Sequence, residues 1–165
     1  MRKTAQLGLF LALALILSYV ESLIPFSFGI PGIKLGLPNL IVVLLLYRGG
    51  ARQAALVNFM RILLSGFLFS NLYAILYALA GAVCSLCAML LGKKAGVFSV
   101  VGVSVLGGVF HNIGQILVAM AVVETFYVGY YIPFLIAAGT VTGAVLGVVA
   151  MELIPYLKKV SFERG

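Results

Sequence analysis

The segment from Lys34 to Phe69 restricts the possible folds most, because it holds two apolar runs of unusual kind. The first run, Gly36 to Tyr47, corresponds to only about 18 Å of helix, whereas the hydrocarbon core of a bilayer is about 30 Å thick. The second run, Ala51 to Phe69, is long enough to cross a membrane but carries Arg61, roughly 13 Å along the helix from Arg52. A charge near mid-membrane is rare and usually functional.

A helix as short as Gly36 to Tyr47 must end inside the thickness of the membrane. Pro38 marks its predicted start, since proline suits the first turn of a helix. Lipid cannot satisfy the free N–H groups at that end, so other parts of the protein must cover it. We therefore predict that the glycine- and proline-rich segment from Pro25 to Leu35 fills the space.

The composition indicates a polytopic membrane protein, a single integral membrane domain over residues 1–165. Of the 165 residues 64% are apolar and only 9% are charged, far outside the range of soluble domains. The net charge of +7 does not indicate nucleic-acid binding, because the basic residues stand in small groups between apolar runs. The apolar run after Arg2 and Lys3 is interpreted as a retained first span, not a signal peptide.

We predict an all-α fold with six transmembrane helices, the second of them short. The predicted spans are Ala5 to Ile24, Gly36 to Tyr47, Ala51 to Phe69, Asn71 to Gly92, Val97 to Val123 and Ile132 to Tyr156.

Basic residues orient these spans. Successive spans cross the membrane in opposite directions, so the loops alternate between its two sides. Nine of the basic residues at or beyond the ends of the spans then fall on one side: Arg2, Lys3, Arg48, Arg52, Lys93, Lys94, Lys158, Lys159 and Arg164. Lys34 alone falls on the other face. The positive-inside rule then predicts a multi-pass protein of the cell membrane with both termini in the cytoplasm.

Polar residues concentrate in the outer part of the predicted bundle. His111 and Gln115 share one helix face, roughly 20 Å below Glu124 and so at the depth of Arg61. This pattern predicts an outward-facing substrate pocket. Its candidate residues are Glu21, Lys34, Asn39, Asn58, Arg61, His111, Asn112 and Gln115.

Two alternatives remain for the central side chains. His111 could instead satisfy a helix–helix hydrogen bond, and Arg61 could form a buried pair with Glu21. If Arg61 is paired with Glu21, the pocket has no net charge and suits a neutral or largely apolar molecule. If Arg61 is available, Lys34 joins it and the ligand is an anion with an apolar body, in a cavity lined mostly by Ile, Leu and Phe.

The sequence argues against catalysis, a cofactor or a metal. It contains no aspartate and therefore lacks the paired aspartates that hold Mg²⁺ against a diphosphate. It has no phosphate-binding G-x-x-x-x-G-K-[ST] loop, and a single histidine without suitable neighbours does not predict a metal site. We interpret Cys84 and Cys87 as small apolar residues on one helix face.

Small residues at four-residue spacing predict close helix contacts. We expect Gly139, Gly143 and Gly147 on the sixth span to pack inside the monomer. Gly8 and Ala12 on the first span lie near the cytoplasmic end, where a partner subunit has room to dock.

Four segments carry a resemblance: ESLIP, GIKLGLPNLIVVLLLY, NFMRILLSGFLF and HNIGQI. Over nearly its whole length the chain resembles the heptaprenyl diphosphate synthase component I family, also called the Gx transporter family. That family is similar to the substrate-binding S components of energy-coupling-factor (ECF) transporters. The resemblance implies six helices, an outer pocket under the first loop, a transmembrane T component and cytoplasmic ATPase subunits.

In S components an A-x-x-x-A-like pair on the first span contacts the T component, and Gly8 and Ala12 occupy that place here. The expected function is that of an S component for uptake of a small amphipathic or anionic molecule. The alternative is a non-catalytic membrane subunit associated with heptaprenyl diphosphate synthase.

Overall fold

The computed structural model describes residues 2–23 and 36–159, which form six α-helices and two 3₁₀-helices and no strand. The α-helices are α1 Arg2–Leu23, α2 Asn39–Arg48, α3 Ala51–Phe69, α4 Leu72–Ala95, α5 Val100–Val123 and α6 Ile132–Leu153. The 3₁₀-helices are Phe126–Tyr131 and Tyr156–Lys159. The all-α prediction is confirmed, while Lys34 and the segment from Pro25 to Leu35 lie outside the described residues.

Four of the described helical segments are long and apolar enough to cross a membrane. They are Lys3–Leu23, Leu72–Ala95, Val100–Val123 and Phe126–Leu153. Helix α2 is apolar but too short, as predicted. Helix α3 has 19 residues, but Arg52, Asn58 and Arg61 lower its hydropathy.

Local sequence explains where the helices begin and end. The side chain of Asn71 accepts a hydrogen bond from the backbone N–H of Ala74 at the start of α4, and Ser99 does the same for Gly102 at the start of α5. Gly96 ends α4 in the left-handed region, with φ of 73°. Pro38 immediately precedes α2, close to the predicted helix start.

Helix α2 lies in the interior and contacts α1, α3, α5 and α6. Its residues 41–46 are all buried in succession, and Leu45 is 0% exposed. A helix facing lipid would expose one side, so this short helix is covered by protein instead. We call residues 41–46 and the buried apolar side chains around them the α2 layer; those side chains are Phe10, Ala14, Ala54, Val57, Met89, Val103 and Ala150.

Basic side chains hold the carboxyl end of α2. The Nζ of Lys93 donates to the Leu46 carbonyl oxygen at 2.6 Å and lies 4.6 Å from the centre of the Tyr47 ring. Arg48 donates to the Leu157 carbonyl oxygen at 2.9 Å. Cations are favourable at the negative end of a helix dipole. We call this end of the bundle, marked by Arg48, Arg52, Lys93 and Lys94, the basic end.

Helix α5 packs most extensively, between α4 and α6. A Cβ added at Gly139 would lie 2.8 Å from the carbonyl oxygen of Gly108, and one at Gly143 would lie 2.7 Å from the Cα of Val105. The glycines of α6 therefore admit the backbone of α5, and the prediction of packing within the monomer is confirmed. A Cβ at Gly8, in contrast, would meet nothing within 4 Å.

Candidate functional site

A cavity of about 350 Å³ lies at the amino-terminal end of α2. All six α-helices and the turn before α2 contribute to its wall. Most of the predicted site residues line it: Glu21, Asn39, Arg61, His111, Asn112 and Gln115. The structure thus brings together residues that are distant in sequence.

Close approaches between helices give the relative depth of the two central side chains. A Cβ at Gly66 of α3 would overlap Ile75 of α4, which places these residues opposite each other. A Cβ at Gly81 of α4 would lie 2.8 Å from the carbonyl oxygen of His111 on α5. Arg61 is about 7.5 Å along α3 from Gly66, and Gly81 is about 9 Å along α4 from Ile75. Arg61 and His111 therefore lie at similar depth, as their spacing suggested.

Arg61 is only 9% exposed, although it is the most strongly basic side chain of the cavity wall. Its Nη2 donates to Asn58 Oδ1 at 2.6 Å, and Glu21 acts on it electrostatically. Among the described residues, its Nε has no hydrogen-bond partner. The guanidinium thus interacts with Asn58 and Glu21, while its Nε stays unpaired among the described residues.

Glu21 connects two parts of the wall. Its Oε1 accepts a hydrogen bond from the backbone N–H of Gly36, so the end of α1 is joined to the turn that leads into α2. Tyr19 on α1 packs against Phe69 on α3, with ring centres 5.1 Å apart. Because Arg61 is about 12 Å along α3 from Phe69, the end of α1 lies above the Cα of Arg61.

Two candidates have structural contacts that the sequence did not reveal. Asn58 is not among the lining residues, but its Oδ1 accepts a hydrogen bond from Arg61 and so fixes the position of the guanidinium. Asn112 lines the cavity, and its Nδ2 donates to the Leu135 carbonyl oxygen of α6 at 2.8 Å. Its amide donor therefore joins α5 to α6.

Within the part of the wall that the structure describes, Ile, Leu and Phe are a minority, contrary to the expectation that they line most of the cavity. Among the described lining residues these types are represented only by Ile62, Phe69, Ile75 and Leu146. Small and hydroxyl side chains occupy most of the remaining wall, because close helix packing on this side uses glycine, alanine and serine. The described part of the wall is therefore more polar than the composition of the chain suggested.

Several hydroxyl residues of the wall were missed by the sequence reasoning: Ser18, Ser65, Ser70, Ser85, Ser104 and Thr142. Serine and threonine are common in membrane helices without any role in binding, so their presence alone is a weak signal. Spacing gave one usable hint, since Ser65 follows Arg61 by four residues and shares its helix face.

The polar side chains of the described wall suit the binding of a ligand. The ionisable side chains of the described wall are Glu21, Arg61 and His111. In the part of the chain that the structure describes, no group of three His, Cys, Asp or Glu side chains could hold a metal ion. A positive and a negative group at different depths can orient a small polar ligand.

Comparison with known proteins identifies the family. No curated protein and no solved structure shows significant similarity to the chain. The family model described as heptaprenyl diphosphate synthase component I matches residues 10–153. That description names one component of a synthase, which agrees with the expectation that the chain is not an enzyme by itself. With the match covering most of its length, the chain belongs to the heptaprenyl diphosphate synthase component I family.

Proposed function

We propose that the protein is the substrate-binding S component of an ECF-type uptake transporter. The observation that carries this proposal is a polar cavity with a buried arginine inside an apolar helical bundle, at the end of α2 opposite the basic end. A buried charge that faces a cavity is the usual mark of a solute site in a membrane protein.

The proposed topology has six spans with both termini in the cytoplasm, so the cavity opens outward. The basic end supports this orientation through the positive-inside rule. Single cysteines placed in a background lacking Cys84 and Cys87 test it in intact cells. Val128→Cys should react with an impermeant reagent without permeabilisation, whereas Lys94→Cys should react only after it. The reverse pattern would overturn the topology.

The proposed substrate is small and carries an acid group. A volume of about 350 Å³ is near the lower end for ligand sites. Arg61 lines the cavity, and a guanidinium binds planar acid groups well. The polar wall favours a compact anion over one with a large apolar body. Native mass spectrometry of the purified protein would identify a co-purifying molecule.

The proposed partners are a transmembrane T component and cytoplasmic ATPase subunits. On α1, Gly8 and Ala12 are exposed on the same face, beside Leu9, which is 62% exposed. Such a strip allows close approach of another helix. The double variant Gly8→Leu and Ala12→Leu should lose co-purification with a T component while the monomer stays folded.

A matched control enlarges two exposed residues at the same spacing on α6. Val141 and Val145 are 63% and 58% exposed, and changing both to leucine should leave the complex intact. If the α1 variant retains the complex, or both variants lose it, the docking face is not the α1 strip.

The second candidate is a non-catalytic membrane subunit associated with heptaprenyl diphosphate synthase. The description of the family favours it. Affinity purification from membranes separates the two functions. Recovery of a prenyl synthase subunit without any T component or ATPase would replace the transporter proposal with this one.

A further inference from the structure

A buried hydroxyl lies in the cavity wall on α4. Ser85 is 2% exposed and lines the cavity, yet within the described chain its Oγ has no hydrogen-bond partner. Buried polar atoms in folded proteins are nearly always paired, because an unpaired one destabilises the fold. Ser18 and Ser65 illustrate the usual situation, since each lines the same cavity and donates to a carbonyl oxygen of its own helix.

A glycine of α5 packs directly against this hydroxyl. A Cβ added at Gly107 of α5 would lie 3.3 Å from Ser85 Oγ and 2.7 Å from the Sδ of Met89. Gly107 and Met89 also line the cavity. A larger residue at position 107 would therefore press on Met89 and Ser85 at this part of the wall.

This part of the wall lies deeper than the charged groups. Gly107 is opposite Ser85 and precedes His111 by one turn of α5, which is about 6 Å towards the basic end. Arg61 is at about the depth of His111, and Glu21 lies above it. The neighbouring wall residues Met89, Ser104 and Gly107 carry no ionisable group.

We propose that Ser85 Oγ is a second binding point, which hydrogen-bonds a neutral polar group of the substrate while Arg61 binds its acid group. This inference rests on the proposed binding of a small anion. The substrate class is then a short acid with a hydroxyl or carbonyl group separated from the acid by about one helical turn, roughly 6 Å or more. A second ionised group would be excluded there, since the deep wall offers it no counter-charge.

A matched pair of probes tests the second binding point. Calorimetry on the full-length protein in nanodiscs compares 6-hydroxyhexanoate with hexanoate, which differ by the terminal hydroxyl. Wild type should bind the hydroxy acid about five- to tenfold more tightly, the usual effect of one buried hydrogen bond. Ser85→Ala should abolish this preference. Thr140→Ala should retain it, because the exposed Thr140 is not among the lining residues and its hydroxyl bonds the Ile136 carbonyl oxygen at 2.8 Å.

Ser85→Gly serves as a second variant should Ser85→Ala not fold, and it should also lose the preference. Equal affinity of wild type for the two acids, binding of neither, or a preference that survives removal of the hydroxyl would each overturn the assignment. The outcome is separable from the transporter proposal. The calorimetric comparison of the two acids needs no partner subunit, so it tests only the binding point at Ser85. Co-purification with a T component does not depend on the residue at position 85, so it tests only the transporter proposal.

Discussion

The α2 layer and the cavity lie at opposite ends of one short helix and are built from opposite kinds of side chain. The layer consists of large apolar residues such as Leu45 and Leu46, which are at most 1% exposed. The cavity wall has serine, glycine and a buried arginine around Pro38 and Asn39. Because α2 stops partway through the bundle, the neighbouring helices continue beyond it and enclose a space. The short length of α2 therefore explains both the packed α2 layer and the cavity beyond its amino-terminal end.

The two regions also differ in how their polar groups are used. At the basic end, the amino group of Lys93 donates a hydrogen bond to the Leu46 carbonyl oxygen in the last turn of α2. In the cavity, Arg61 Nε and Ser85 Oγ remain without partners among the described residues. We infer that the α2 layer contributes mainly stability and the cavity mainly binding, and the following predictions test that division.

The largest expected effect is on stability, from Leu45→Ala in the α2 layer. Removing a fully buried leucine side chain should lower the free energy of unfolding by about 2–5 kcal/mol. Denaturant unfolding in detergent micelles measures it, with Leu9→Ala as the control because Leu9 is 62% exposed. A similar small loss for both variants would show that the layer is loosely packed.

Next in size is the effect of Arg61→Met on binding. Removing a buried charged donor should weaken hexanoate binding by at least about 2 kcal/mol, while Glu21→Gln should weaken it much less. Calorimetry provides the affinities and denaturant unfolding the stabilities. Equal losses of affinity from both changes, or a loss of stability alone, would identify Arg61 and Glu21 as a structural pair.

A smaller effect is expected from Asn112→Ala, which stands between the two regions because it lines the cavity and also bonds α6. Loss of the hydrogen bond to the Leu135 carbonyl should reduce stability by about 0.6 kcal/mol, the mean for bonds between membrane helices, and by no more than about 1.7 kcal/mol. Affinity for hexanoate should change little. If affinity falls and stability does not, the amide belongs to the binding site and not to the helix contact.

The smallest effect is expected at the basic end, from Lys93→Met. The variant loses the hydrogen bond to the Leu46 carbonyl, which should lower the stability by about 0.5–1 kcal/mol, since the side chain is partly solvated. Lys94→Met is the control on the next residue. Thermal unfolding of both variants in one detergent gives the comparison, and equal melting temperatures would show that Lys93 does not stabilise the end of α2.

The helices of this protein were largely predictable from the sequence. Helix α3 has the predicted limits, Ala51–Phe69, because the Gly49–Gly50 turn and the Ser70–Asn71 break bound its apolar run. The short length of helix α2 was predicted by comparing the length of its apolar run, at about 1.5 Å per residue, with the thickness of a bilayer. These features depend on local composition, which a single sequence contains in full.

The site was only partly predictable. Arg61 and His111 were found because a charge or a histidine among apolar residues is conspicuous. Ser85 was not, since a serine within an apolar helix is unremarkable until its surroundings are known. Asn58 was assigned to the cavity and instead supports Arg61 from behind.

The sequence by itself determined which segments are helices, how long they are and which of them carry polar side chains. Only the tertiary structure decided which of those side chains share a cavity and which are used in packing. The physical reason is that the rotation and register of each helix follow from its contacts with several others at once, as Gly66 with Ile75 and Gly81 with His111 show. No periodicity within one helix contains that information.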